Sequence, residues 1–220
     1  QLDYKELYLV QDKVLDLLFS EERIFYLTGG TCINRFYSEK RYSDDLDFFT
    51  SDNNLFRENI RRIYNTFDDN KISIEQVADS KDFVRIIIDD ILKVDFVNDR
   101  TFYYGNKLQS DKGYILDNTM NMLANKLSAV IGRDEPKDVF DLFLLSTITE
   151  FNWDAITEVS RKKELFEYDI LEYRLRTFPF VLLDKLALKD QDFLSFIKAK
   201  LPGMIDDIIC GGNNRLFRGF

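Results

Sequence analysis

The residues best suited to chemistry are carboxylates set two apart. In Asp45-Leu46-Asp47 the acids alternate with Leu46 and Phe48, the period-2 pattern of a strand, so both carboxylates point to one face. Two like charges side by side are costly unless a cation lies between them. Asp95 is a third acid in an otherwise apolar run. There Leu92, Val94 and Phe96 share one face, and Lys93, Asp95 and Val97 share the other. Upstream, Ile24-Phe25-Tyr26-Leu27 feeds into Gly29-Gly30-Thr31. Glycine lets backbone N–H groups approach a ligand with no Cβ in the way, and a helix starting there offers its positive end to an anion. Carboxylate oxygens are hard ligands of the kind Mg²⁺ prefers. Histidine is absent, which removes Ser-His, Cys-His and His–metal mechanisms. Chemistry here must run on carboxylates, Lys, Arg and hydroxyls.

The elements that must hold these residues follow from periodicity. Leu7, Val10, Val14 and Leu17 or Leu18 predict an amphipathic helix over 2–19. A strand covers 24–28, the glycine pair opens a short helix with Ile33 and Phe36 on its buried side, and 45–50 form a second strand. Phe56, Ile60, Ile63 and Phe67 mark a helix, with Ser51-Asp52-Asn53 as N-cap candidates. Strands are expected at 72–77, 83–89 and 92–97, and a short one at 101–104 in an otherwise irregular stretch. From Asp117 onward the pattern is helical. Met120, Leu123, Leu127 and Val130 make one stripe, and Pro136 takes the first turn of the next helix. Further helices are expected at 153–163, 167–176, 179–188 and 193–200. The fold class is therefore α+β: a mixed sheet with flanking helices over residues 1–115, then an all-helical part over 116–220.

Composition agrees with a folded protein: 45% of residues are hydrophobic and 31% charged. No apolar run approaches the roughly 20 residues of a membrane span. QLDYKELY is acidic and amphipathic, unlike a signal peptide. The chain opens on Gln1 rather than Met, compatible with a trimmed start, and ends on Phe220, compatible with a missing C-terminal piece. Cys32 and Cys210 are too few for a disulfide framework and fit a reduced, cytoplasmic setting. A net charge of −9 argues against broad, non-specific nucleic-acid binding. The candidate basic surface is Arg161-Lys162-Lys163 with Arg174, Arg176, Arg215 and Arg218.

Taken in order, Gly29-Gly30-Thr31, Arg41-x-Ser43-x-Asp45-Leu46-Asp47-Phe48, Asp95, Lys126, Arg133 and Lys137-Asp138-x-x-Asp141-Leu142 resemble the AbiEii-like nucleotidyltransferases. These are a branch of the polymerase-β-like superfamily that occurs as toxins of bacterial toxin–antitoxin pairs, including the MenT group. The resemblance spans residues 24–165. It implies a nucleotidyltransferase-type sheet domain, a helical domain and an active-site cleft between them. It also implies Mg²⁺ as cofactor, a nucleoside triphosphate as substrate, RNA such as tRNA as acceptor, and an antitoxin as partner. Asp45, Asp47 and Asp95 would hold the metals, and two metals about 3.5–4 Å apart would stabilise attacking and leaving oxygens. Gly29, Gly30, Thr31, Arg41 and Ser43 would bind the nucleotide, with Lys126, Arg133 and Asp141 adding to that set. Asp138 corresponds to the essential acid of the helical part, although spacing alone also allows Asp141.

Each piece has a plainer reading. Gly-Gly after a strand is commonly a turn, and Asp45, Asp47 and Asp95 are acids that water alone could satisfy. Ser43 caps a strand entry, and Arg41's plainest partner is Asp44 or Asp45. Lys126 on a helix is usually solvated, Arg133 opposes a helix dipole, and Asp138 sits in a first turn where acids are favoured. Asp141 is placed to pair with Lys137. Joint occurrence in order outweighs these. The alternatives to RNA modification are nucleotidylation of a protein or small molecule, and a silent nucleotide-binding module.

Overall fold

The computed structural model describes residues 3–21, 23–51 and 53–217. Leu2, Asp52, Arg218 and Phe220 of the sequence reading lie outside them. The elements in order are α1 (Tyr4–Glu21), β1 (Tyr26–Thr28), α2 (Gly29–Cys32) running into a π-helical turn (Ile33–Tyr37), β2 (Asp45–Ser51) and α3 (Phe56–Asp69). Then come β3 (Ile74–Asp79), β4 (Phe83–Ile88), β5 (Leu92–Asp99), β6 (Leu108–Gln109) and β7 (Ile115–Leu116). The rest is α4 (Thr119–Gly132), α5 (Pro136–Ile148), α6 (Trp153–Lys163), α7 (Tyr168–Thr177), a 3₁₀ turn (Phe180–Lys185) and α8 (Gln191–Cys210).

Contacts divide the chain into two compact units. One takes residues up to 36, 42–101 and 106–117; the other takes 37–41, 102–105 and everything from 118 on. The first unit is a seven-stranded mixed sheet in the order β3-β4-β5-β2-β1-β7-β6. β2 runs parallel to β5 and antiparallel to β1, so two strands far apart in sequence lie side by side at its centre. Alternation sorts the faces. Leu46, Phe48, Val94, Phe96, Val84, Ile86 and Ile88 are all buried. The Phe48 and Phe96 rings stack at 5.4 Å, and Phe19 of α1 meets Phe48 edge-on. Each such side chain contributes about 1.5–3 kcal/mol on burial. That anchoring fixes β2 and β5 in register and turns their acids to the opposite face.

The second unit is helical. α4 is capped by Asn118, whose side chain accepts from the Asn121 N–H at 2.8 Å. Pro136 takes the first turn of α5. The core combines Leu123, Leu127 and Val130 with Phe140, Phe143, Trp153, Ile156, Leu171 and Ile197. Among the described residues no helix is long and apolar enough to cross a membrane.

Four details depart from the sequence reading. Residues 101–104 form no strand; pairing goes instead to Leu108–Gln109 and Ile115–Leu116. Residues 179–188 shrink to the short 3₁₀ turn after Pro179. α8 runs on to Cys210 straight through Pro202, where Pro ordinarily stops a helix. α3 begins at Phe56, three residues later than a cap among 51–53 predicts, and Asn53 Oδ1 accepts from the Leu55 N–H.

Candidate active site

The site on the sheet is built from two cross-strand rows. Asp47 of β2 is opposite Asp95 of β5, which is opposite Arg85 of β4, while Thr28 of β1 lies on the other side of Asp47. One step along the same face, Asp45 is opposite Lys93, which is opposite Ile87. Register thus puts the three carboxylates on one face of neighbouring strands. Arg85 forks onto Asp95, with Nε donating to Oδ1 and Nη2 to Oδ2, both at 2.7 Å. Lys93 Nζ lies 2.6 Å from Asp45 Oδ2. The hydrogen bond to Asp95 raises the Arg85 pKa. Burial pulls the Lys93 ammonium down, but Asp45 outweighs it and the net shift is upward.

Gly29 sits directly against this face. Its φ is +69°, in the left-handed region, and a Cβ there would overlap the Asp47 carboxylate. Both the conformation and the space demand glycine. Thr31 is fully buried and its hydroxyl donates to the Asp45 carbonyl, tying α2 to the start of β2. Thr28 Oγ1 donates to buried Asp117 Oδ2 at 2.6 Å, which secures the other side of the turn. Ser43 is buried and held through its backbone: its N–H donates to Tyr8 Oη at 3.1 Å, and its carbonyl accepts from Gln11 Nε2 at 3.1 Å. Burial carries the pKa of Cys32, the residue after Thr31, well above the ordinary thiol value, as a core residue's should be.

The remaining candidates gather inside the helical unit as a chain of alternating charges. Arg41, for which the sequence offers Asp44 or Asp45, forks onto Asp141, 100 positions later: Nε donates to Oδ1 at 2.9 Å and Nη2 to Oδ2 at 2.7 Å. Lys126 of α4 lies 2.8 Å from both Asp138 Oδ1 and Asp141 Oδ2 of α5. Arg133 Nε reaches Asp138 Oδ2 at 2.7 Å. Asp138 and Asp141 are three apart on one helix, so both face α4. Burial alone would raise Asp141; Arg41 and Lys126 outweigh it and hold the carboxyl at about 2. Asp138 is likewise lowered against its burial by Lys126 and Arg133. Burial depresses Lys126, but Asp141 and Asp138 raise it on balance. Lys126, Asp138 and Asp141 therefore stay charged near neutrality.

The donor chemistry on the sheet suits a hard divalent cation: three carboxylates, two of them i and i+2 on one strand, and no nitrogen or sulfur ligand. As they stand, Asp45 and Asp95 are turned to Lys93 and Arg85. Among the described residues no three His, Cys, Asp or Glu side chains converge as a ready metal site. Arg85 is the residue that the sequence concealed. Its signal was period-2 placement between Val84 and Ile86, the same signature that exposed Asp95.

Residues 16–108, which span the whole sheet cluster, match the family model described as nucleotidyl transferase AbiEii toxin of a type IV toxin–antitoxin system. Within the sheet unit, this stretch is similar to the AbiEii nucleotidyltransferase toxin domain. The enzyme class that the match supports is nucleotidyltransferase. Two solved structures from Helicobacter pylori share the fold well beyond the matched stretch. JHP933 from Helicobacter pylori is 18% identical with a TM-score of 0.61, covering 94% of this chain and 92% of that one. A putative nucleotidyltransferase from H. pylori is 20% identical with a TM-score of 0.50, covering 94% and 89%. The nucleotidyltransferase toxin MenT4 from Mycobacterium tuberculosis is 16% identical at a TM-score of 0.48, covering 84% and 68%. No curated protein matches the chain. The carboxylate rows and the Gly29 turn both lie within the matched stretch.

Proposed function

We propose that this nucleotidyltransferase is Mg²⁺-dependent, moves a nucleoside monophosphate from an NTP to a hydroxyl of RNA such as tRNA, and acts in the cytoplasm as a toxin held by a cognate antitoxin. The observation that carries the metal and nucleotide part is the row Asp95–Asp47 with Asp45 beside it, next to the Gly29 turn. Asp45, Asp47 and Asp95 would hold Mg²⁺, which when bound stabilises charge on the attacking and leaving oxygens. The acceptor oxygen attacks the α-phosphorus as the bond to the bridging oxygen breaks, and pyrophosphate leaves with that electron pair. The acceptor's proton passes to Asp95. Gly29, Gly30 and Thr31 frame the triphosphate, with Thr31 acting through Asp45. Lys126, Arg133, Asp138 and Asp141 form the charged centre of the helical unit. In this reading Asp138 and Asp141 keep Lys126 and Arg41 paired and cationic, the state in which such groups can bind phosphate, while Ser43 fixes the approach to β2.

Expression in a bacterial host is expected to slow growth, and Asp47→Ala to relieve it. A variant that stays equally toxic overturns the assignment. Labelled NTPs incubated with total RNA and with lysate protein should place label on RNA; label on protein alone replaces RNA with a protein acceptor.

A further inference from the structure

The sheet cluster has a charge arrangement that catalysis by carboxylates does not require. Two of its three acids are already neutralised by cations built into the neighbouring strands: Asp95 by Arg85, and Asp45 by Lys93. These pairs follow from register, since Arg85 is the cross-strand partner of Asp95 and Lys93 that of Asp45. Unlike ions from solution, they cannot diffuse away. A divalent cation arriving alone meets Asp95 with both oxygens held by a guanidinium and Asp45 with Oδ2 held by an ammonium, and both of those cations repel it.

Both cations are nevertheless able to leave. The Arg85 and Lys93 side chains are each 38% exposed, whereas that of Asp95 is only 10% exposed. A guanidinium fork that fits a carboxylate fits a phosphate equally well. We infer that Arg85 and Lys93 are resident counter-cations that oppose metal binding to the free enzyme and transfer to the triphosphate when metal and nucleotide arrive together. The exchange conserves charge: the carboxylates pass from side-chain cations to metal as the side-chain cations pass from carboxylate to phosphate. Metal and nucleotide then bind cooperatively, and linkage makes the coupling reciprocal. Arg85 and Lys93 are positioning residues in this scheme. The inference rests on the nucleotidyltransferase reading of the same site.

The test uses the full chain with Mn²⁺ as metal probe and the α,β-methylene analogues of the four common NTPs as nucleotide probes, by calorimetry and by the Mn²⁺ spin-resonance signal. Wild type is expected to bind Mn²⁺ alone weakly, and to bind one analogue about tenfold or more tighter with Mg²⁺ than without. Arg85→Met and Lys93→Met are expected to move the two affinities in opposite directions: Mn²⁺ alone tighter by about tenfold, the Mg²⁺–analogue weaker. Arg85→Lys, which keeps the charge but loses the fork, should fall between. A purely structural role would weaken both affinities together, and that result overturns the inference. So does wild-type binding of Mn²⁺ and analogue with no coupling, which leaves the nucleotidyltransferase reading intact. Wild type that binds neither probe removes both.

Discussion

Replacing Gly29 by alanine isolates the link between the turn and the carboxylates. The residue sits at φ +69°, where an L side chain costs about 1–2 kcal/mol. The added Cβ overlaps Asp47 Oδ2 and lies 3.1 Å from its Cγ. Restoring ordinary contact requires the carboxylate to retreat by about 1 Å. Asp47 is pinned in a row between Thr28 and Asp95, so it retreats by changing rotamer and its oxygens leave the shared face. A displacement of that size at a reacting centre costs about a hundredfold in rate. Gly29→Ala is therefore expected to lose at least that factor in transfer of α-labelled NTP to RNA, and only about 1–2 kcal/mol in urea unfolding. Gly132→Ala is the control, because nothing lies within 4 Å of its added Cβ. A folded Gly29→Ala protein with activity within about threefold of wild type would refute the reasoning.

Two further outcomes follow from buried hydrogen bonds. Asp141→Ala leaves Arg41 and Lys126 without their shared acid and is expected to cost about 3–5 kcal/mol at pH 7 by urea unfolding; a loss below about 1 kcal/mol contradicts the charged chain. Asp141 is held at about 2, below its ordinary 3.8, so its contribution is complete above about pH 4 and fades as pH falls through about 2. The wild-type advantage over the variant should shrink by about 2 kcal/mol across that interval. Thr31→Val removes the hydroxyl that donates to the Asp45 carbonyl. It should cost about 1–2 kcal/mol in thermal unfolding and reduce transfer; unchanged values would show that the bond does not position β2.

What the sequence disclosed was whatever alternates or repeats within one element. Asp45, Asp47 and Asp95 stand out because each interrupts an apolar period, and that period also names the strands. Their adjacency was not legible, because β2 pairs with β5 across the whole of α3, β3 and β4. Arg85 escaped notice for the same reason: a cation in a strand acquires meaning only when its cross-strand partner is known. Arg41 has acids close by in sequence at Asp44 and Asp45, while the acid that holds it is 100 positions away. Pro202 gave a stop signal that the apolar positions Leu201, Met204, Ile205 and Ile208, all buried, overrode.

The path of the chain through its two units has a consequence for how such a protein can be cut or recombined. Residues 37–41 belong to the helical unit although the chain reaches them between α2 and β2. Arg41 and Lys40 in that strap hold Asp141 and Asp190, both far down the sequence. A single break after residue 117 would therefore deliver a sheet fragment bearing an arginine whose acid is on the other piece, and a helical fragment with a carboxylate whose cation has gone. The family-matched stretch, 16–108, contains Arg41 but not Asp141. A helical half exchanged from another protein has to bring its own acid to that arginine.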